Sequence, residues 1–187
     1  MSLNNKMTLL VASLNNIKEN HLNIKCSYDD DIETILIRKK NLGDVGSDLF
    51  EKFCELGCEA TKLKLTSFKS VEDEEIKFLV EKISTLLVEI YPWLNNYLPN
   101  YPFMFIYIDE YESVGIDACE VRSGFQFMLD LFKGINPKLD DILQKLDEAA
   151  TEDFDKKIKF GKEWNKFEVE KEDIPEFIPK HHIWWSK

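Results

Sequence analysis

The stretch DEYESVGIDACE, residues 109–120, carries Asp109, Glu110, Glu112, Asp117 and Glu120 and no basic residue. Carboxylates at this density suit two kinds of chemistry. They can hold a hard cation such as Mg²⁺, which takes oxygen ligands, or present a negative face that steers a cationic partner. A magnesium enzyme also needs groups that bind phosphate or take a proton, and none stands out nearby. A charge run by itself most often marks a solvated face, and acids near a helix start are stabilising anyway. Of the functional readings, partner binding through these five acids is preferred. A Mg²⁺-dependent enzyme using the same carboxylates is the alternative, and a structural or regulatory domain the third reading.

Other chemistry-bearing residues are sparse. Cys54 and Cys58 stand four apart, as two zinc ligands on one helix face do, but a closed zinc site needs four ligands and no second cysteine pair follows. The histidines are His21, His181 and His182. The last two are adjacent, and neighbours in an extended segment point to opposite sides, so they do not read as a chelating pair. There is no P-loop, no G-x-S-x-G and no H-E-x-x-H. GDVGS at 43–47 is too poor in glycine for a dinucleotide fingerprint. No catalytic residue, metal site or cofactor is therefore expected.

The elements that must position these residues follow from periodicity. Residues 7–17 lean to helix. Residues 22–27 and 32–38 read as strands flanking YDDD, and TKLKLT at 61–66 alternates like a half-buried strand. A helix is expected over 47–56, with Ser47 as N-cap and Gly57 ending it. The clearest helix runs from Ser70 to Tyr91, its apolar face built from Ile76, Leu79, Val80, Ile83, Leu86, Leu87 and Ile90, and Pro92 stops it. FMFIYI at 103–108 reads as a buried central strand. Helices over 119–133 and 136–150 follow, the second opened by Asn136 and Pro137. The segment around Gly161 reads as a hairpin or a strand and loop. The expected fold is one α+β domain over 1–187, an antiparallel or mixed sheet covered by amphipathic helices, with 174–187 an extended docked tail.

The chain of 187 residues has a formal net charge of −11. Such a balance disfavours phosphate backbones and anionic membranes and favours a basic protein partner. The longest uninterrupted apolar run, 103–108, is too short to span a bilayer, and no secretory signal is evident. Four irregularly spaced cysteines suit free thiols in a reducing cytoplasm.

The C-terminal segment FIPKHHIWWSK concentrates bulky apolar side chains. Pro175 and Pro179 exclude a regular helix, so an extended course is expected, either in a groove covered on both sides, which is preferred, or with one tryptophan docked and the other facing a partner; one of Trp184 and Trp185 is expected to be much more buried than the other. A small acidic chain carrying P-x-x-H-x-W-W, here Pro179, His182, Trp184 and Trp185, resembles immunity proteins of bacterial polymorphic-toxin and contact-dependent inhibition systems. The resemblance implies a cytoplasmic, non-enzymatic inhibitor whose acidic face covers the basic cleft of a toxin, often a nuclease. Asp109, Glu110, Glu112, Asp117, Glu120, Trp184 and Trp185 are the partner-binding candidates.

Overall fold

Apolar side chains at positions 3, 7, 10, 11, 14 and 17 recur at three and four, the spacing of one helix face. In the computed structural model they are the buried face of α1 (Leu3–Asn20), whose N-cap Ser2 accepts from the Asn5 amide. The structure describes residues 2–22, 32–95, 97, 114–148, 172 and 174–185, with the main chain alone for 32–43, 114–118 and 183. After α1 come α2 (Ile32–Lys62), a 3₁₀ turn (Phe68–Ser70), α3 (Glu74–Glu89), the short α4 (91–95), α5 (Val114–Phe132), α6 (137–148) and a last 3₁₀ turn (Ile183–Trp185). Helix α1 packs on both α2 and α3, and α2 packs on α5.

The expected α+β fold is overturned, because every described element is helical and the described residues contain no strand. Residues 32–38, expected as a strand, are the first turns of α2. Their β-branched residues carry only a small helix penalty, under about 1 kcal/mol each, which a long amphipathic helix outweighs. Ser47 and Gly57 do not bound a helix but lie inside α2. The true end is a Schellman turn, with the Leu65 amide on the Ala60 carbonyl and the Lys64 amide on that of Thr61. Lys64 takes the left-handed conformation there, at φ 58°. TKLKLT is thus a helix stop rather than a strand, and Leu63 is exposed.

Helix α3 starts at Glu74, later than the expected Ser70, and its apolar period begins inside it at Ile76. Asp73 caps it, accepting from the Ile76 amide at 3.0 Å, and Glu74 and Glu75 occupy the first turn. Its buried face meets α1, not a sheet. Pro92 does not end helical structure either: the Trp93 and Leu94 amides return to the Ile90 carbonyl, and the proline sits in the first turn of α4, where its missing donor is not needed. At α6 the Asn136 side chain accepts from the Leu139 amide at 2.8 Å, with Pro137 next to it. The expected strands at 103–108 and over nearly all of 22–27, and the segment around Gly161, lie outside the described residues.

The core is aromatic along the α2–α5 seam. Phe50 meets Phe53, Tyr97 and Phe125, while Phe132 meets Phe53 and Phe68 edge-on. Two glycines set how near these helices come. A side chain at Gly57 would enter the Phe127 ring, and one at Gly124 would run into the Phe50 backbone. A ring can turn aside, but a helix backbone cannot. Gly124→Ala should therefore lower stability by about 1–3 kcal/mol through overpacking, although alanine is the better helix former. Urea denaturation checks this, and an unchanged midpoint would mean that α5 does not lie against α2 as described.

Candidate functional site

Beyond Asp117 and the exposed Glu120 near its start, the polar residues of α5 fall on one stripe. Cys119, Arg122, Ser123, Gln126 and Asp130 recur at helical spacing, so one face carries them all. Arg122 donates to Gln126 Oε1 at 3.1 Å, and Gln126 Nε2 donates to Asp130 Oδ1 at 2.9 Å. The carboxylate is thereby fixed from one side.

The C-terminal segment docks on this stripe. It is not extended: the Ile178 amide returns to the Pro175 carbonyl and the His182 amide to that of Pro179, so each proline opens a turn. This changes where neighbouring side chains go. Trp184 and Trp185 are both buried, at 4% and 3% exposed, which overturns the expected inside–outside pair. Both indoles donate to Ser123 Oγ, at 3.0 Å and 2.7 Å. His182 Nδ1 lies 3.1 Å from the same oxygen. A hydroxyl accepts twice and donates once. With both lone pairs taken, its proton goes to His182 Nδ1, which leaves the imidazole proton on Nε2. The Trp184 indole also reaches the Cys119 carbonyl at 3.2 Å, and the Arg122 guanidinium lies 4.2 Å from the Trp184 ring centroid.

His181 and His182 converge instead of diverging. His181 Nε2 is 2.7 Å from Asp130 Oδ2, and His182 Nε2 is 3.8 Å from the same oxygen. Burial pushes the Asp130 carboxyl up, but the His182 imidazole facing it at 3.8 Å and the hydrogen bonds from Gln126 and His181 outweigh it and hold it below its ordinary range. Burial holds His182 below its ordinary value. Asp130 opposes this, while the charges of His181 and Arg122 add to it.

Ser123, His182 and Asp130 make a serine–histidine–carboxylate chain by composition. Ser123 is fully buried beneath two tryptophans and its lone pairs are occupied, so it is built as a clamp and not as a nucleophile.

Next to Asp130, a cleft of about 340 Å³ opens between α5 and α6, and its lining includes Asp130, Asp140, Asp141 and Asp147 against Lys133. Of the acids anticipated for partner binding, Asp109, Glu110 and Glu112 lie outside the described residues, and Asp117 is described by its main chain in α5. Glu120 is exposed on α5. Together with Cys58, Glu51 and Glu55 it adds to burial in pushing the Cys54 thiol up to about 12. A protonated, buried Cys54 and a half-buried Cys58 give no thiolate pair, and among the described residues neither belongs to a group of potential metal ligands. Asp130, Ser123 and Arg122 were not anticipated. The one sequence trace of them is Arg122, Gln126 and Asp130 repeating every fourth residue along a mostly apolar helix.

No protein-family model, curated protein or solved structure matches this chain. Among the described residues no helix is long and apolar enough to cross a membrane.

Ser123→Ala removes the acceptor of two buried indoles and the donor to a buried imidazole. Trp184 keeps the Cys119 carbonyl, so two groups are orphaned at about 1–3 kcal/mol each, and a loss of roughly 2–6 kcal/mol is expected, with tryptophan emission shifted to the red. An alanine variant as stable as the parent would mean that the segment does not depend on this hydroxyl.

The pH dependence has a definite sign. His182 is held below its unfolded value of 6.5, so the unfolded chain takes up that proton first. The stabilisation is complete above about pH 6.5 and is lost as pH falls through the folded value. Urea midpoints measured with chelator present should fall between pH 7.5 and pH 5, and fall less in His182→Gln. A parental midpoint that rises on acidification would show that pairing with Asp130 outweighs burial.

Proposed function

We propose that this is a non-enzymatic, acidic protein-binding inhibitor of the immunity type, acting in the cytoplasm on a basic toxin, with a nuclease as the fitting class. The observation that carries the reading is the cleft between α5 and α6, lined by four aspartates and Lys133, where Asp147 also pairs with Arg122 at 4.0 Å and Asp130 with His181 while Asp141 is exposed on the wall. Its volume lies near the lower end of the range for ligand sites, about 300–1,000 Å³, and suits an inserted arginine or lysine side chain. The net charge of −11 gives the same direction at long range. It speeds encounter with a cationic partner and disfavours nucleic acid and anionic lipid.

This reading moves the contact surface. Trp184 and Trp185 are internal, so they hold the segment against α5 and do not serve as anchors for a partner. The resemblance carried by Pro179, His182, Trp184 and Trp185 then concerns how the C-terminal segment is fixed, and the cleft supplies recognition.

The test is growth rescue on co-expression with a basic toxin domain encoded beside this chain. Asp141 and Gln144 are exposed on the cleft wall, so Asp141→Lys with Gln144→Lys should leave the fold intact. The pair should lower the association rate by roughly ten-fold or more at low salt and weaken rescue. Unchanged rescue would remove the cleft from the reading. Micromolar Mg²⁺ binding that is lost in Asp109→Asn would instead favour the carboxylate enzyme.

A further inference from the structure

Two imidazoles and a carboxylate meet where the C-terminal segment crosses α5. One ligand atom from each of Asp130, His181 and His182 lies within 4.8 Å of the others. His182 is the unusual member. Its side chain is fully buried, and its Nε2 has no hydrogen-bond partner although it is aimed at Asp130 Oδ2. A buried polar atom left in this way is costly unless something else completes it.

We infer that Asp130, His181 and His182 bind a borderline transition-metal ion, Zn²⁺ fitting best, which ties the C-terminal segment to α5. The geometry is close to what such an ion needs. At metal–ligand distances of about 2.0–2.1 Å, tetrahedral ligands stand about 3.3 Å apart. The two pairs measured to Asp130 Oδ2, 2.7 Å and 3.8 Å, straddle that value. The half-exposed His181 is free to adjust. Two imidazole nitrogens and one carboxylate oxygen favour zinc and its neighbours over the hard Mg²⁺. With three protein ligands, one coordination position faces solvent on the His181 side.

The surroundings match a supporting shell. Gln126 orients the carboxylate through Oδ1, leaving Oδ2 for the ion. Ser123 meets the far nitrogen of His182, the place where ligating histidines are usually held. Ligation through Nε2 requires the tautomer with the proton on Nδ1, donated to Ser123. A lone pair can be released for it, because the Trp184 indole has the Cys119 carbonyl as a second acceptor. Both imidazoles stay neutral: in His181 as in His182 the N–H proton moves from Nε2 to Nδ1 through solvent, which frees both Nε2 lone pairs for the ion, while Ser123 turns from donor to acceptor toward His182 and the Trp184 indole keeps the Cys119 carbonyl.

This inference does not depend on the cleft taking a protein partner, and it is tested without one. The full chain, stripped with EDTA, is titrated calorimetrically with ZnCl₂ and with MgCl₂. One Zn²⁺ should bind per chain, and Mg²⁺ should not compete. His181→Ala, at an exposed position, should weaken Zn²⁺ at least about ten-fold, and Gln126→Ala roughly 10–100-fold. His21→Ala and Cys58→Ser should leave it unchanged. Nitrogen-15 spectra should show His182 passing from the Nε2–H to the Nδ1–H form as Zn²⁺ is added. Absence of Zn²⁺ binding, binding that survives His181→Ala, binding lost in Cys58→Ser, or a His182 tautomer that does not change would each overturn the inference.

Discussion

The near contact of α2 and α5 governs the rest of the arrangement. Gly124 lets the α5 backbone lie against that of Phe50, and Gly57 gives the Phe127 ring its place. At about 100° per residue, the side of α5 opposite Gly124 carries Cys119, Arg122, Gln126 and Asp130, with Ser123 beside them. Once one side of the helix is committed to α2, this polar stripe is turned toward whatever covers the other side. The C-terminal segment is what covers it.

That cover is selected by valence as much as by apolar area. Burying an indole contributes about 1.5–3 kcal/mol, yet each indole also carries an N–H that must be matched. One hydroxyl serves both, and its own proton serves a third group. Arg122 completes the arrangement from the side, lying over the Trp184 ring while its hydrogen bonds run along α5 to Asp130. A charge this buried is tolerable because it is hydrogen-bonded and stacked. The acidic cleft begins where that ladder ends, so the carboxylate shared with the histidines is also one wall of the surface proposed to meet a partner.

The parts of the fold legible in the sequence are those decided locally. Helix α3 declared itself through its apolar period, and α6 through Asn136 and Pro137. Helix α2 was broken into pieces for a physical reason. Over seven residues, Ile32–Arg38 fits a strand as well as a helix, and Gly57 has the composition of a helix end. What keeps Gly57 inside a helix is a ring from α5, distant in the chain. The C-terminal segment misled in the same way. Prolines exclude a helix, but extended strand and consecutive turns both remain, and they send His181, His182, Trp184 and Trp185 in different directions. The site itself was not legible because Ser123 meets its partners across 59 to 62 residues. No local pattern marks a serine whose value lies in its three valences.

The saturation of Ser123 also has a bearing on inheritance. A group whose donor and acceptor capacity is fully used couples its neighbours: losing one indole leaves a vacant lone pair, and losing the hydroxyl strands the Trp185 indole and the His182 imidazole together and leaves Trp184 with the Cys119 carbonyl alone. Threonine keeps the valences but adds a methyl where no space is exposed, and cysteine offers a poor acceptor. Substitutions at 123, 182, 184 and 185 are therefore not independent events. In descendants of this chain the four positions should drift as a linked set, retained together or replaced together by an apolar solution, while α1 and the outer face of α3 diverge residue by residue.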